Sequence, residues 1–245
     1  MSADAWLAFD TSTDVLSVGL SAHGRTDLRT LAGGAQSSAT LIPTVMDMLA
    51  QADIGLPRLQ AIVFGRGPGS FTGLRTACAV AQGLAFGAGI PVLPVDTLLA
   101  VAEEARVLAG VGDGPVTVLA LLDARMDEVY SAACDWDGQR WTARSPLQVT
   151  PPQAVVRPDA PRVLLAGNAF EAYGDRLPSG ERVHALPTAA ALLRLAPVLS
   201  AAGQAVPAEQ AMPLYIRDKV AQTTAERMAE RVATRDAATG ATGAA

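Results

Sequence analysis

The chain has 245 residues, half of them hydrophobic and 18% charged, which supplies a packed core and excludes global disorder. Its net charge is −5 and its pI about 5.0, which excludes gripping a polyanion unaided, because phosphate contacts require clustered Lys and Arg. Cys78 and Cys134 form no CxxC pair, which argues against a disulfide framework or a zinc knuckle and fits a reducing compartment. No signal peptide and no uncharged apolar run of about 18 residues is visible. The expectation is a cytoplasmic protein with no membrane partner.

Trp6 to Phe9 reads as a buried strand ending at Asp10, and "TSTD" as a turn. Val15 to Leu20 is a second strand, "SAHG" a turn, and Thr26 to Leu31 a third strand. Apolar residues at Leu41, Val45, Met48, Leu49 and Ala52 predict a helix over 38–52, with Ile42 and Met46 widening its stripe. Ile62 to Phe64 reads as a strand, Phe71 to Ala88 as a helix, Val92 to Val95 as a strand and Leu98 to Leu108 as a helix. "GVGDGP" at 110–115 marks a boundary, giving expected lobes at 1–109 and 110–220 and a tail at 221–245 that is partly helical or disordered.

The pattern then restarts. Val116 to Leu122 ends at Asp123, "ARMD" is a turn, Glu128 to Cys134 and Arg140 to Arg144 are strands, and "DWDG" at 135–138 is a turn between them. Arg162 to Ala166 is a strand reached through a Pro-rich stretch, and a short helix and one from about Thr188 to Ala202 follow. Each half has a strand ending in Asp (Asp10, Asp123), a later turn Gly (Gly24, Gly138) and a strand ending in Gly (Gly65, Gly167). Such duplication predicts an α/β fold in which a mixed sheet with flanking helices is used twice, matching the architecture of the actin, Hsp70 and sugar-kinase superfamily, with Rossmann-like folds as the competing reading of the pattern.

"GRGPGSFTGLRTA" from Gly65 to Ala77 resembles a phosphate loop, yet no Lys completes a GxxxxGK[ST] motif. Ser70 replaces the third Gly of GxGxxG, and Pro68 lacks an N–H. The alternative is a tight strand-to-helix turn. Asp10, Thr11, Ser12 and Asp123 are the candidates for a nucleotide or magnesium site, since two strand-end carboxylates can face one another across a cleft. His23 and His184 are the only histidines, with no HxxxH or HExxH, so no metal site is expected. Pro68 also breaks a GxSxG elbow around Ser70. "DARMDE" reads as a salt-bridged turn at least as readily as a site.

Phe71 to Gly87 has Arg75 as its only charge, so this helix lacks a charged face altogether. A helix without a polar face is buried on every side. Beside the apolar helix over 38–52, this predicts a docking face for another helical pair. The residues expected there are Leu41, Ile42, Val45, Met46, Leu49, Phe71, Leu74, Arg75, Cys78, Ala81, Gln82 and Ala85.

Four strings, "FDTSTDVLSVGL", "GRGPGSFTGLRTACAVAQGLAFGAGIPVLPVDTLLA", "LDARMDEVY" and "PLYIRDKVA", resemble the TsaB (YeaZ) family over about residues 4–222. That resemblance implies a two-lobed actin/Hsp70-like fold and a part in threonylcarbamoyl transfer to N6 of adenosine 37 in tRNAs reading ANN codons. It implies two partners, the catalytic paralogue TsaD and the ATPase TsaE, with ATP and Mg²⁺ used by the assembled complex and tRNA met only through it. It further implies that Thr97 and Val101 stand where the paralogue has its metal-binding HxxxH. The expectation is a non-catalytic scaffold and activator with no cofactor or catalytic residue of its own, able to form a homodimer when alone. The competing expectation is an independent ATP-dependent enzyme of the sugar-kinase type, and a metal-dependent protease is a third.

Overall fold

The computed structural model describes residues 5–217. The first half contains β1 (Trp6–Asp10), β2 (Val15–Ala22), β3 (Arg25–Ala32), α1 (Ser37–Gln51), β4 (Ala61–Gly67), α2 (Phe71–Ala88), β5 (Val92–Asp96) and α3 (Thr97–Leu108). The second contains β6 (Val116–Arg125), β7 (Glu128–Trp136), β8 (Trp141–Ala143), β9 (Gln148–Thr150), β10 (Val163–Gly167), α4 (Ala169–Tyr173), β11 (Glu181–His184) and α5 (Ala189–Ala201). The expected tail over 221–245 lies outside the described residues.

The two sheets have one topology. The first runs β3-β2-β1-β4-β5 and the second β8-β7-β6-β10-β11, with β9 also pairing β7. In each, an antiparallel meander of three strands is followed by two strands parallel to the first. This is the duplicated fold of the actin, Hsp70 and sugar-kinase type, two mixed sheets flanked by helices.

Alternation along the central strands sends side chains to both faces of each sheet. Leu7, Phe9, Ile62 and Phe64 meet Leu41, Val45 and Met48 of α1 and Ala77, Ala81 and Ala85 of α2. Trp6, Ala8, Val63 and Val95 face the other way, onto Leu192, Leu195 and Ala196 of α5. In the second sheet, Val118, Ala120 and Leu122 pack on Leu98, Val101 and Ala105 of α3. Its far face carries Leu119, Leu121 and Leu165 under Phe170, Tyr173 and Leu177.

The halves therefore exchange helices. α3, from the first half of the chain, packs on the second sheet, and α5, from the second half, packs on the first. Between them Glu103, 2% exposed, accepts from Arg106 Nε and Nη2 (2.9 Å each), Arg194 Nε (2.8 Å) and Trp141 Nε1 (3.0 Å). Burial opposes ionisation of this carboxyl, but the bonds from Arg106, Trp141 and Arg194 hold it below the usual range.

Two features differ from the sequence expectation. Asp135 and Trp136 belong to β7, not to a turn. β9 lies in the Pro-rich stretch, where three residues pair with Val129, Tyr130 and Ser131 of β7; a strand this short is defined by its partner rather than by its own periodicity. Among the described residues no helix is long and apolar enough to cross a membrane.

Candidate functional site

A cleft of about 380 Å³ opens between the lobes where β1 and β6 end, lined by Ser12, Thr13, Ser70, Thr72, Asp123, Tyr130, Asn168 and residues 214–217 among others. The glycines of the Gly65–Ala77 stretch have a definite task beside it. A β-carbon at Gly65 would overlap the Asp10 carboxylate, one at Gly73 the carbonyl oxygen of Thr11, and one at Gly69 would lie 2.6 Å from the Ser12 carbonyl oxygen. Ser70 N–H donates to Ser12 O (2.7 Å), and Thr11 Oγ1 donates to Gly73 O (2.6 Å). The loop is thus folded flat against the "DTS" turn, backbone on backbone, and its glycines serve contact within the chain.

That packing withdraws two candidate residues from the cleft. Asp10 and Thr11 are fully buried. Asp10 Oδ1 accepts from Ser12 N (2.8 Å) and Ser12 Oγ (2.6 Å), while Oδ2 faces Gly65 without a hydrogen-bond partner among the described residues. Burial pushes the Asp10 carboxyl up to about 6, opposed by the two bonds from Ser12. The expected pair of carboxylates facing across a cleft is corrected: the first is sealed against Gly65 of β4. Ser12 does line the cleft, with its hydroxyl turned to Asp10.

Asp123 also lines the cleft. Its Oδ1 accepts from Tyr173 Oη (2.7 Å) and Arg125 N (2.8 Å), and its backbone N–H donates to Asn168 Oδ1 (2.9 Å). Burial and the nearby Asp123 push the Tyr173 phenol up to about 12. Around the "ARMD" turn, Arg125 pairs with Asp123 (3.4 Å) and Asp14 (3.0 Å), and Asp127 pairs with Arg176 (2.5 Å). Among the described residues no three His, Cys, Asp or Glu converge on one point. His23 occupies the β2–β3 turn at φ 53°, and His184 packs edge-on against Phe170.

The expected docking residues divide into two sets. Leu41, Val45, Leu49, Leu74, Cys78, Ala81 and Ala85 are buried within the chain's own core, so they are not surface residues as expected. The reason is geometric: these are the residues of α1 and α2 that point down onto the first sheet. Ile42, Met46, Phe71 and Arg75 are exposed, and Gln82 is half-buried. Nor is α2 enclosed on every side. Its outer face is open and runs Phe71, Arg75, Ala79, Gly83 and Phe86, the last 74% exposed.

Among the described residues, nothing lies within 4 Å of where a β-carbon on Gly83 or Gly87 of this face would stand. Helix-interior glycine costs about 1 kcal/mol relative to alanine, and no contact among the described residues requires it here. Ala79, Gly83, Phe86 and Gly87 were not among the expected docking residues. The mid-helix glycines were the signal in the sequence that could have found them.

The family model described as "TsaD: tRNA N6-adenosine threonylcarbamoyltransferase" matches residues 32–238. The tRNA threonylcarbamoyladenosine biosynthesis protein TsaB of Haemophilus influenzae is 34% identical over 227 residues, 87% of this chain and 94% of that one. TsaB of Escherichia coli is 34% identical over 226 residues, 88% and 95% of the two chains. The structure of YeaZ from Pseudomonas aeruginosa superposes with a TM-score of 0.80 at 38% identity, over 87% of this chain and all of that one. With relatives of this identity aligned along nearly their whole length, the chain belongs to the TsaB (YeaZ) family.

Proposed function

We propose that this chain is a non-catalytic scaffold and activator in tRNA threonylcarbamoyladenosine biosynthesis, and that the outer faces of α1 and α2 bind the catalytic paralogue TsaD. Family membership ties the chain to that biosynthesis. The observation that carries the docking assignment is the outer face of α2, uncharged except for Arg75, with Gly83 and Gly87 open to close approach. Phe71, Phe86, Ile42 and Met46 supply exposed apolar surface around them. A partner helix can approach the backbone closely at the glycines while the larger side chains fill its grooves.

Support for the non-catalytic role comes from the positions that match the paralogue's HxxxH. Thr97 is buried and its Oγ1 accepts from Gly67 N (3.1 Å), and Val101 lies in the core of the second sheet. Both side chains serve packing. TsaE and tRNA then engage the assembled complex, where ATP and Mg²⁺ are used, and a second copy of this chain is the alternative occupant when TsaD is absent.

The test is reconstitution with Ala79→Arg and Met46→Arg, separately and together. Both sites are exposed, so the variants fold while placing charge in the contact. Co-elution with TsaD and tRNA modification should fall together; undiminished co-elution and modification would sink the assignment. Ala81→Arg is unsuitable, because Ala81 is fully buried and its replacement tests folding.

A second reading, an ATP-dependent enzyme of the sugar-kinase type, keeps one supporting observation, the carboxylate of Asp123 in the cleft. Calorimetry of the isolated chain with Mg-ATP separates the two: tight binding with turnover favours the enzyme, and no heat favours the scaffold.

A further inference from the structure

Residues 212–217 run in irregular backbone along the cleft mouth, and their contacts reach three separate parts of the molecule. Leu214 N–H donates to Arg66 O (2.7 Å), and its carbonyl oxygen lies 2.5 Å from where a β-carbon on Gly67 would stand. The Tyr215 ring lies against Phe71, with centroids 5.3 Å apart, and its hydroxyl accepts from Arg75 Nε (3.1 Å). The Arg75 guanidinium in turn stacks 3.8 Å from the Phe71 centroid. Phe71 and Arg75 open the exposed stripe of α2.

Two residues further on, Arg217 reaches the second lobe. It donates to Ala124 O (3.1 Å) and pairs with Glu128. These groups flank the turn of Arg125, Met126 and Asp127, whose φ angles are 60°, 54° and 61°. Three successive non-glycine residues in the left-handed region persist only where the surroundings hold them.

We propose that this strap couples the docking face to the interlobe cleft, so that TsaD seated on α2 strengthens the grip of Arg217 on the second lobe. The proposal rests on the docking assignment above. Phe71 is 38% exposed and Tyr215 43%, so a helix laid along Phe86, Gly83 and Ala79 and continued past Arg75 covers both rings. Burying them favours the seated strap. Little slack intervenes: Leu214 is tied by its backbone, and Ile216 alone separates Tyr215 from Arg217. The Asp14–Arg125 pair that also spans the mouth is 84% and 73% exposed at its two side chains, and such a pair contributes little. Coupling between sites is reciprocal, so loosening the strap at the second lobe weakens TsaD binding at the first.

The test uses the full chain with TsaD, reading affinity by calorimetry and lobe separation by spin labels at Arg58→Cys and Ser179→Cys, exposed sites on opposite lobes. Arg217→Ala, which removes a guanidinium seated on Ala124 and Glu128 of the second lobe, should weaken TsaD binding about fivefold or more and prevent TsaD from narrowing the label distance. Glu128→Ala should do the same, and the double variant should lose no more than either single one. Gly83→Arg is the control for docking itself. Lost binding in Gly83→Arg beside wild-type affinity in Arg217→Ala and Glu128→Ala would overturn the coupling and leave docking standing. Unchanged binding in Gly83→Arg would overturn docking, and the coupling with it.

Discussion

β1 and β6 hold the same place in sheets of the same order, and each carries an aspartate near its end, yet the two carboxylates have different surroundings. Asp10 is fully buried beside β4, with one oxygen against Gly65. Asp123 has 15% of its side chain exposed, lines the cleft and is bonded by Tyr173 and Arg125. The corresponding loop of the second half, Gly167–Asn168, reaches only the backbone N–H of Asp123. The flanking helices differ as well: α2 has 18 residues and an open outer face, whereas α4 has 5. One topology has thus been put to two uses. The first half closes its strand-end site and presents helices outward, and the second keeps its carboxylate at the cleft.

Substitutions can break that contrast. The largest effect is expected at Gly73, where a β-carbon would overlap the backbone oxygen of Thr11. Gly73→Ala should cost about 3 kcal/mol or more in urea unfolding, by overpacking, although helix propensity alone favours alanine. A similar magnitude, expressed as a dependence on pH, belongs to Asp10. Its carboxyl is raised from 3.8 to about 6 by burial, so the folded state holds the proton more tightly than the unfolded chain. That contribution is fully present below pH 3.8 and is lost as pH rises through about 6. Asp10→Asn removes the ionisation, so its stability relative to the unsubstituted chain should rise by about 3 kcal/mol between pH 4 and pH 7.5.

Asp123→Ala removes the acceptor for Tyr173 and Arg125 and should cost about 1–2 kcal/mol, measured by the same unfolding. The smallest effect has the opposite sign. Gly83→Ala, in the same helix as Gly73 but with open space around it, should stabilise the isolated chain by about 0.5–1 kcal/mol. Equal effects at Gly73 and Gly83 would remove the distinction between a glycine held for internal contact and one left open on the outer face.

Much of this was legible in the residues. The duplicated order of strands, the two strand-end aspartates and the extent of α2 follow from period-two runs, turn clusters and an uninterrupted helical stretch. The orientation of α2 was not, because a helix apolar all round carries no polar stripe to mark its outside; Ala81 and Ala79 look alike until the sheet is in place. Nor could the chain order show that α3 and α5 pack on each other's sheets, since both carry apolar faces that fit either one. Asp10 read as a site for the same reason that Asp123 did. Only the fit of Gly65 against its carboxylate, a contact 55 positions away along the chain, separates them. Tyr215 lay inside a recognised string, but its contact with Phe71 is set by tertiary placement.

The docking face is the central claim, and Gly83→Leu tests it most directly. Leucine suits a helix better than glycine, and the site is open among the described residues, so the melting temperature of the chain alone should not fall. Its binding to TsaD, measured by calorimetry, should weaken about 10- to 100-fold, because a side chain then stands where the proposed partner helix would approach. An unchanged affinity in a variant that remains folded would contradict the assignment of α2 as the TsaD-binding surface.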